Sequence, residues 1–547
     1  MLGLMQNHPL RIIDILTFAA EVYQEQGLTS VNEDRCIQSL RYPEVLKRVS
    51  QLAHALTKLG LGKGDRIATL AWNTHRHYEL YYAISGIGAV CHTINPRLPE
   101  DQMLYIFEHA QDRVIFVDKS LLHLIEKLQD RLPSVEHVVV LADGSNMSGT
   151  EAGWLSYEDL LAAESDSFDW PVFPEETAAG LCYTSGTTGD PKGALYSHRS
   201  TVLHALFAVA GYPQSLKLGK AVLPVVPLFH VNAWGLPYAA TLAGADMVLP
   251  GPHLDGPSLY DLMNAQNVFT AWGVPTVWAG LLQEIEKRGK APDGFADLVV
   301  GGAAAPRSMI AAFEAMGINV NQVWGMTEMS PIGTSGLLPT SLDNATQDQR
   351  VDAKVGAGRR LFGTDFKLLD ENRARVPHDG ESQGELFVRG NTIISEYFEN
   401  EAATEAAMDN EGWFGTGDVA TLDARGKLIV RDRSKDLVKS GGEWISSIDL
   451  ENAAVAHPDL RACAVIAVPH PKWDERPVLV AVAEGQVKPS LDEVNAHLSA
   501  SFARWQLPDD IIYVDVLPLT ATGKVSKITL RKQMVDYVLP EFRDVSA

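Results

Sequence analysis

The stretch Tyr183-Thr184-Ser185-Gly186-Thr187-Thr188-Gly189-Asp190-Pro191-Lys192-Gly193 decides how this chain is read. It follows the apolar run Ala178-Ala179-Gly180-Leu181-Cys182, which reads as a strand. It precedes His198–Ala210, whose apolar residues recur at helical spacing. A flexible strand-to-helix loop of this composition offers backbone N–H groups and hydroxyls, and Lys192 adds a positive charge. Those groups suit a polyphosphate, because glycines let the main chain approach without side-chain collisions. The order G-x-x-x-x-G-K-[ST] is absent, so this is not a Walker loop. Taken alone, the same residues also read as a Gly/Ser/Thr linker.

Upstream, Ile12, Ile15, Leu16, Ala19 and Val22 put one helical face on Arg11–Gln26, and Val45, Val49, Leu52, Leu56 and Leu59 put another on Tyr42–Leu59. Strands at Arg66–Trp72, Val90–Ile94, Arg113–Val117 and Val138–Leu141 then alternate with helices at His77–Ile87, Glu100–Ala110 and Leu121–Leu128. The rhythm returns downstream. Strands Ala221–Val226, Ala245–Leu249, Val268–Ala271, Leu298–Gly301 and Val320–Trp324 have helices between them, including Pro257–Asn264, Thr276–Lys287 and Arg307–Met316. Such alternation predicts an α/β fold with two doubly wound subdomains before residue 340. From Asp352 the pattern changes to short strands (Asp365–Leu369, Gly384–Arg389, Asp418–Asp423, Lys427–Arg431), a small β-rich subdomain. A compact α+β module follows, with helices Ile448–His457 and Leu491–Phe502 and strands Ala464–Val468 and Val478–Val482. The expected boundary falls near Lys435, giving a large domain over 1–434 and a small mobile one over 435–547.

The 547 residues are 46% hydrophobic and 21% charged, a globular profile long enough for several cores. A net charge of −23 disfavours nucleic acid or an anionic membrane as partner. An anionic ligand would therefore need lysines, arginines and backbone amides gathered locally. Cys36, Cys91, Cys182 and Cys463 form no close pair and no metal-ligand spacing, so they read as reduced, buried thiols. Without a signal-peptide pattern or a run long enough to span a bilayer, the expected setting is cytoplasmic.

Five further stretches stand out: Pro227-Leu228-Phe229-His230, Gly301-Gly302-Ala303-Ala304-Ala305-Pro306, Trp324-Gly325-Met326-Thr327-Glu328, Trp413-Phe414-Gly415-Thr416-Gly417-Asp418, and Gly523-Lys524-Val525-Ser526-Lys527. With the glycine-rich loop, all six in this order resemble the acyl-adenylate-forming superfamily of acyl-CoA synthetases, luciferases and peptide-synthetase adenylation domains. Trp324 to Pro331 and Val468-Pro469-His470-Pro471-Lys472-Trp473 resemble its medium-chain acyl-CoA ligase branch. The resemblance implies a two-step reaction. A carboxylate attacks the α-phosphate of ATP, giving acyl-AMP and pyrophosphate; the thiol of CoA then displaces AMP. The first step joins two anions, so the site must supply positive charge and alignment.

The resemblance assigns roles residue by residue. Thr184, Ser185, Gly186, Thr187, Thr188, Gly189 and Lys192 would hold the β- and γ-phosphates. Glu328 and Thr184 would hold Mg²⁺, a hard cation that takes oxygen ligands. Trp324, with Gly325, Met326 and Thr327, would line the adenine pocket, a tryptophan standing where tyrosine is common in the superfamily. Gly302, Ala303 and Ala304 would let adenine and acyl groups come close. Asp418, assisted by Arg433, would bind the ribose hydroxyls. His230 would gate the passage between acyl and thiol tunnels. Lys524 would swing in to contact carboxylate and α-phosphate, turning about a hinge at Lys435. Lys439, Ser440, Gly441, Gly442, Glu443 and Trp444 would face the thiol tunnel in the second arrangement. Each residue has a plainer reading as well: a surface glutamate, a core aromatic, a turn aspartate, a solvated lysine.

Trp234 and Trp272 would shorten an acyl pocket, which points to a short- or medium-chain acid, 3-methylmercaptopropionate being one in that branch. The rival functions are an adenylation enzyme that loads a carrier protein, an oxygenase that uses the same adenylate, and an inert nucleotide-binding or assembly protein. Related enzymes are often dimers, so a homodimer is compatible with the resemblance.

Overall fold

The computed structural model of this protein describes residues 1, 3–147, 150, 153–184, 190–342, 344–520 and 524–545. Among them, two seven-stranded sheets carry most of the mass. The first runs Leu155–Ser156, His137–Val140, Val114–Val117, Arg66–Leu70, Val90–Thr93, Ala178–Tyr183, Gly193–Ser197. The second runs Asn319–Gln322, Asp297–Val300, Val268–Gly273, Ala221–Pro224, Asp246–Leu249, Gly27–Val31, Ile37–Arg41. Each is parallel except for its last strand, which closes one edge as an antiparallel hairpin. Strands such as Val114-Ile115-Phe116-Val117 are apolar at every position because helices cover both faces of the sheet.

One core joins the two sheets. It holds Ile67, Val114 and Val139 from the first and Val222, Met247 and Val299 from the second. Between them lies the helix His75–Gly86, buried at every residue but Arg76, as a helix between two layers must be. Helix Tyr42–Lys58 packs beside it through Val45, Val49, Leu52 and Leu56, the face its sequence pattern predicts. Outer cores cover the far face of each sheet.

Besides the short antiparallel pair Thr334–Ser335 and Arg359–Arg360, two smaller sheets follow. Thr364–Leu369, Gly384–Gly390, Phe414–Leu422 and Leu428–Arg433 form an antiparallel sheet whose register sets Asp418 opposite Arg433. The last sheet places Glu443–Ile445, Val438–Ser440, Asp474–Ala483 and Leu460–His470 side by side, with Asp510–Tyr513 parallel to Asp474–Ala483. Helices Ser447–Ala454, Leu491–Leu498 and Lys527–Gln533 pack on it over two small cores. No helix among the described residues is long and apolar enough to cross a membrane.

The α/β class and its segregated smaller modules agree with the sequence reading, but three local expectations change. The glycine-rich loop joins two strands, not a strand to a helix. Gly193–Ser197 turns back antiparallel on Ala178–Tyr183 before helix His198–Gly211 begins. Its alternating residues bury Ala194 and Tyr196, a strand signal too short to register beside the loop. The first helix ends at Val22 instead of Gln26, because Gly27 starts an edge hairpin whose sheet partner, Asp246–Leu249, lies far along the chain. The strands expected at Ala464–Val468 and Val478–Val482 extend to Leu460–His470 and Asp474–Ala483, a long hairpin.

Phe313, fully buried on helix Arg307–Ala315, anchors the outer core of the second sheet. Phe313→Ala is expected to destabilise that layer by about 3–5 kcal/mol. A clear drop in the urea midpoint of tryptophan fluorescence is the expected result; an unchanged midpoint would contradict the packing.

Candidate active site

The parallel strands of the second sheet end at one cavity of about 990 Å³. Val225 and Val226 follow Ala221–Pro224, Val274 follows Val268–Gly273, Gly302 follows Asp297–Val300, and Val323 follows Asn319–Gln322. Thr184, just after Ala178–Tyr183, brings the first sheet to the same opening. Ligands of doubly wound sheets bind in this kind of crevice, outside the carboxyl ends of the strands. Arg97, Lys192, Arg433 and Lys524 all line it, so cations gather here in a strongly acidic molecule.

Glu328 sits in the short turn Thr327–Met329, buried, its Oε1 accepting from the Tyr397 hydroxyl at 2.6 Å. Burial raises its carboxyl above the usual range, while the Tyr397 bond and the charges of Arg433 and Lys192 pull it back. Tyr196 holds the turn from below through its hydroxyl, which donates to the Thr327 carbonyl at 2.6 Å. Lys192 lies 5.1 Å over the Tyr397 ring. Thr184 Oγ1 accepts the Lys192 N–H at 3.2 Å, tying the two ends of the loop together. Ser185, Gly186, Thr187, Thr188 and Gly189 lie outside the described residues, as does Gly523.

Asp418 is buried with both carboxylate oxygens engaged. Arg433 Nε lies 2.8 Å from Oδ1 in an ion pair, and Trp324 Nε1 donates to Oδ2 at 2.9 Å. The cavity wall beside it is made by Val323, Gly325, Met326 and Thr327. Trp324 packs edge-on against Phe366 at 5.6 Å, so its main contact is the Asp418 hydrogen bond rather than a face on the cavity.

Lys524 enters the cavity from the C-terminal module. A Cβ built on Gly302 would stand 3.3 Å from its Cε, and Gly302 itself has φ +78°, so glycine suits both the backbone and the approach. Burial pushes the Lys524 amine down to about 8, Arg433 adding to the shift and Asp418 opposing it. Burial, then the charge of Lys524, also pushes the His230 imidazole down to about 3, so it lines the cavity as a neutral ring.

After His230 the backbone enters a left-handed turn, with φ of 47°, 53°, 45° and 58° from Val231 to Trp234, before Gly235. Non-glycine residues there cost roughly 1–2 kcal/mol each. The Asn232 carboxamide oxygen accepts from Tyr81 at 3.1 Å and from Cys182 Sγ at 3.3 Å, which fixes the turn. The result aims Trp234 at the cavity, with its Cη2 2.9 Å from a Cβ built on Gly301. Trp272, the other expected pocket tryptophan, is instead core, 4.8 Å from the Tyr212 ring. It is the last-but-one residue of its strand and points into the central core.

Ala303 and Ala304 line the cavity, as does Lys435. Lys439, Ser440, Gly441, Gly442, Glu443 and Trp444 do not; they form the hairpin Val438–Ser440 and Glu443–Ile445 on the outer module, with Lys439 4.6 Å over the exposed Trp444 ring. The sequence reading missed Tyr397, Tyr196 and Arg97. The two tyrosines carry no local signal, since their partner Thr327-Glu328 is distant in the chain. Arg97 follows Asn95-Pro96, a turn signal whose direction only the sheet decides.

A cavity built this way, with cations, a buried carboxylate and a lysine inserted from a separate module, is that of an adenylate-forming enzyme. The chain belongs to the AMP-binding enzyme family, whose model matches residues 19–398, with the family's C-terminal domain matching 449–524. It is 47% identical to a 3-methylmercaptopropionyl-CoA ligase of Ruegeria lacuscaerulensis, covering 98% of this chain and 99% of that one. It is 43% identical to a medium-chain-fatty-acid–CoA ligase of Ectopseudomonas oleovorans, covering 98% of each. A crystal structure of an anthranilate CoA ligase with anthranoyl-AMP superposes with a TM-score of 0.84 at 25% identity, over 97% of this chain and 99% of that one.

Removing the doubly held carboxylate tests the nucleotide site. Asp418→Ala is expected to weaken AMP binding roughly ten- to hundredfold, as loss of a charged hydrogen bond does. Calorimetric titration with AMP would read it, and unchanged affinity would remove Asp418 from the site.

Proposed function

We propose that this protein is an ATP-dependent acyl-CoA ligase acting on a short- or medium-chain acid, with 3-methylmercaptopropionate first among the acids to try. The observation that carries the reading is Lys524 seated against Gly302 in the cavity that also holds Thr184, Lys192 and Glu328. The identity to CoA ligases along the whole chain supports it.

In the first step the acid lies between Trp234, His230 and Gly302. Lys524 contacts its carboxylate and the α-phosphate of ATP, offsetting the repulsion between two anions. The carboxylate oxygen forms the bond to the α-phosphorus, and the bond to pyrophosphate breaks. Thr184, Lys192 and the loop 185–189 bind the β- and γ-phosphates, while Asp418 and Arg433 take the ribose. The aliphatic wall at Val323, Gly325 and Met326 receives the adenine, backed by Trp324. Thr184 and Glu328 fit Mg²⁺: a hydroxyl and a buried carboxylate, one of whose oxygens accepts from Tyr397, are the hard donors this ion takes. When bound, the ion supplies positive charge to the phosphate oxygens.

In the second step the CoA sulfur bonds to the acyl carbon and AMP leaves. Lys524 must then vacate the space, so the module over 435–547 turns about Lys435 and brings Lys439 to Trp444 to the cavity. The two small cores draw only on residues from Val438 onward, which supports a division at 434/435. Cys91, Cys182 and Cys463 are buried free thiols, as expected, which supports a cytoplasmic setting; Cys36 is exposed instead, because it lies in the turn of the edge hairpin between Gly27–Val31 and Ile37–Arg41.

Pyrophosphate release with ATP and a panel from 3-methylthiopropionate and butyrate to decanoate, with and without CoA, tests the reading. A CoA thioester and AMP are the expected products. Acyl-AMP without a thioester would favour a carrier-loading enzyme, and nucleotide binding without pyrophosphate release an inert binder. A second expectation concerns pH. Lys524 is cationic below about 8 and loses its charge as pH rises through that value. The kcat/KM for acid-dependent pyrophosphate release should therefore fall about tenfold per pH unit above it. A profile flat to pH 10 would exclude that role.

A further inference from the structure

Three residues beyond Lys524, Lys527 begins helix Lys527–Gln533. Its ammonium lies 2.8 Å from Glu451 Oε1 and also donates to the Ser447 hydroxyl. That hydroxyl donates in turn to Asp432 Oδ2, and the Ser447 N–H donates to the same oxygen at 2.7 Å. Asp432 and Ser447 are 1% and 0% exposed. Beside them the Ser446 hydroxyl donates to the Arg431 carbonyl at 2.6 Å, and Arg431 lies 3.7 Å from Asp449.

These contacts divide about Lys435. Lys527 and Glu451 both lie beyond it, so their ion pair travels with the small module. Arg431 and Asp432 lie before it, on the last strand of the antiparallel sheet. Every bond from Asp432 and Arg431 to residues 446–449 must break if the module turns. The donor chain from Lys527 through Ser447 to Asp432 also fixes the start of the helix that follows Lys524, and with it how far Lys524 reaches toward Gly302.

We infer that Asp432, through Ser447 and Lys527, is a positioning residue that latches the small module in the arrangement where Lys524 occupies the cavity. The inference rests on the two-step reading above. A buried carboxylate held by hydrogen bonds adds little net stability, because its desolvation offsets much of what those bonds return, yet the bonds fix geometry closely. Opening returns Asp432 to water and recovers that desolvation. Such a contact suits a catch that must close for one half-reaction and release for the next.

The test uses full-length Asp432→Asn and Ser447→Ala; Lys527 keeps Glu451 in both, so the small module retains its internal pair. First-turnover pyrophosphate release from ATP and acid is expected to fall at least tenfold. Thioester formation from supplied acyl-adenylate and CoA is expected to stay at the parent rate or rise. Tryptic cleavage after Lys524 should become at least tenfold faster. Equal loss in both halves, undiminished pyrophosphate release, or an unchanged cleavage rate would each overturn the latch. If the parent itself makes no thioester from acyl-adenylate, the two-step reading fails instead, while the cleavage comparison still tests the contact.

Discussion

Bringing the Lys524 ammonium out of water is the constraint on which the site turns. An amine held in such a place tends to lose its proton, and the downward shift to about 8 expresses that cost. Asp418 offsets part of it, and Arg433 adds to it. A phosphate group entering the cavity would favour the charged form again. The lysine is thus held nearer to the loss of its proton than an amine in water is, until an anion lies beside it.

Around that lysine the molecule spends buried hydrogen bonds on fixing carboxylates. Asp418 is held by Trp324 and by its cross-strand partner Arg433, Glu328 by Tyr397, and Asp432 by Ser447. A carboxylate with its donors already in place loses little entropy when a ligand meets it. The left-handed turn from Val231 to Trp234 serves the same end by other means. The tyrosine and cysteine bonds to Asn232 hold a costly backbone so that one indole faces the cavity.

Much of the fold is legible in the sequence. Period-3.6 stripes such as Val45, Val49, Leu52 and Leu56 marked helices, and uniformly apolar runs such as Val114–Val117 marked parallel strands, because these patterns depend on neighbours in sequence. The edge hairpin Gly27–Arg41 was not legible. Its outer strand is exposed and its inner one pairs with Met247 to Leu249, so no local period betrays it. The loop after Tyr183 was legible as a phosphate-type loop but not as a hairpin, since Gly193–Ser197 is five residues long.

The amino-acid order by itself determined the layered α/β plan, the local need for cations in an acidic chain, and the residue types able to meet it. Composition and short-range periodicity carry that information. Only the tertiary structure decided which of those residues meet. Trp324 gives its N–H to Asp418, Trp272 belongs to the core while Trp234 faces the cavity, Lys524 reaches Gly302, and Asp432 meets Ser447 across Lys435. Each depends on where sheets and modules pack against one another, and partners separated in the chain leave no mark on the local sequence.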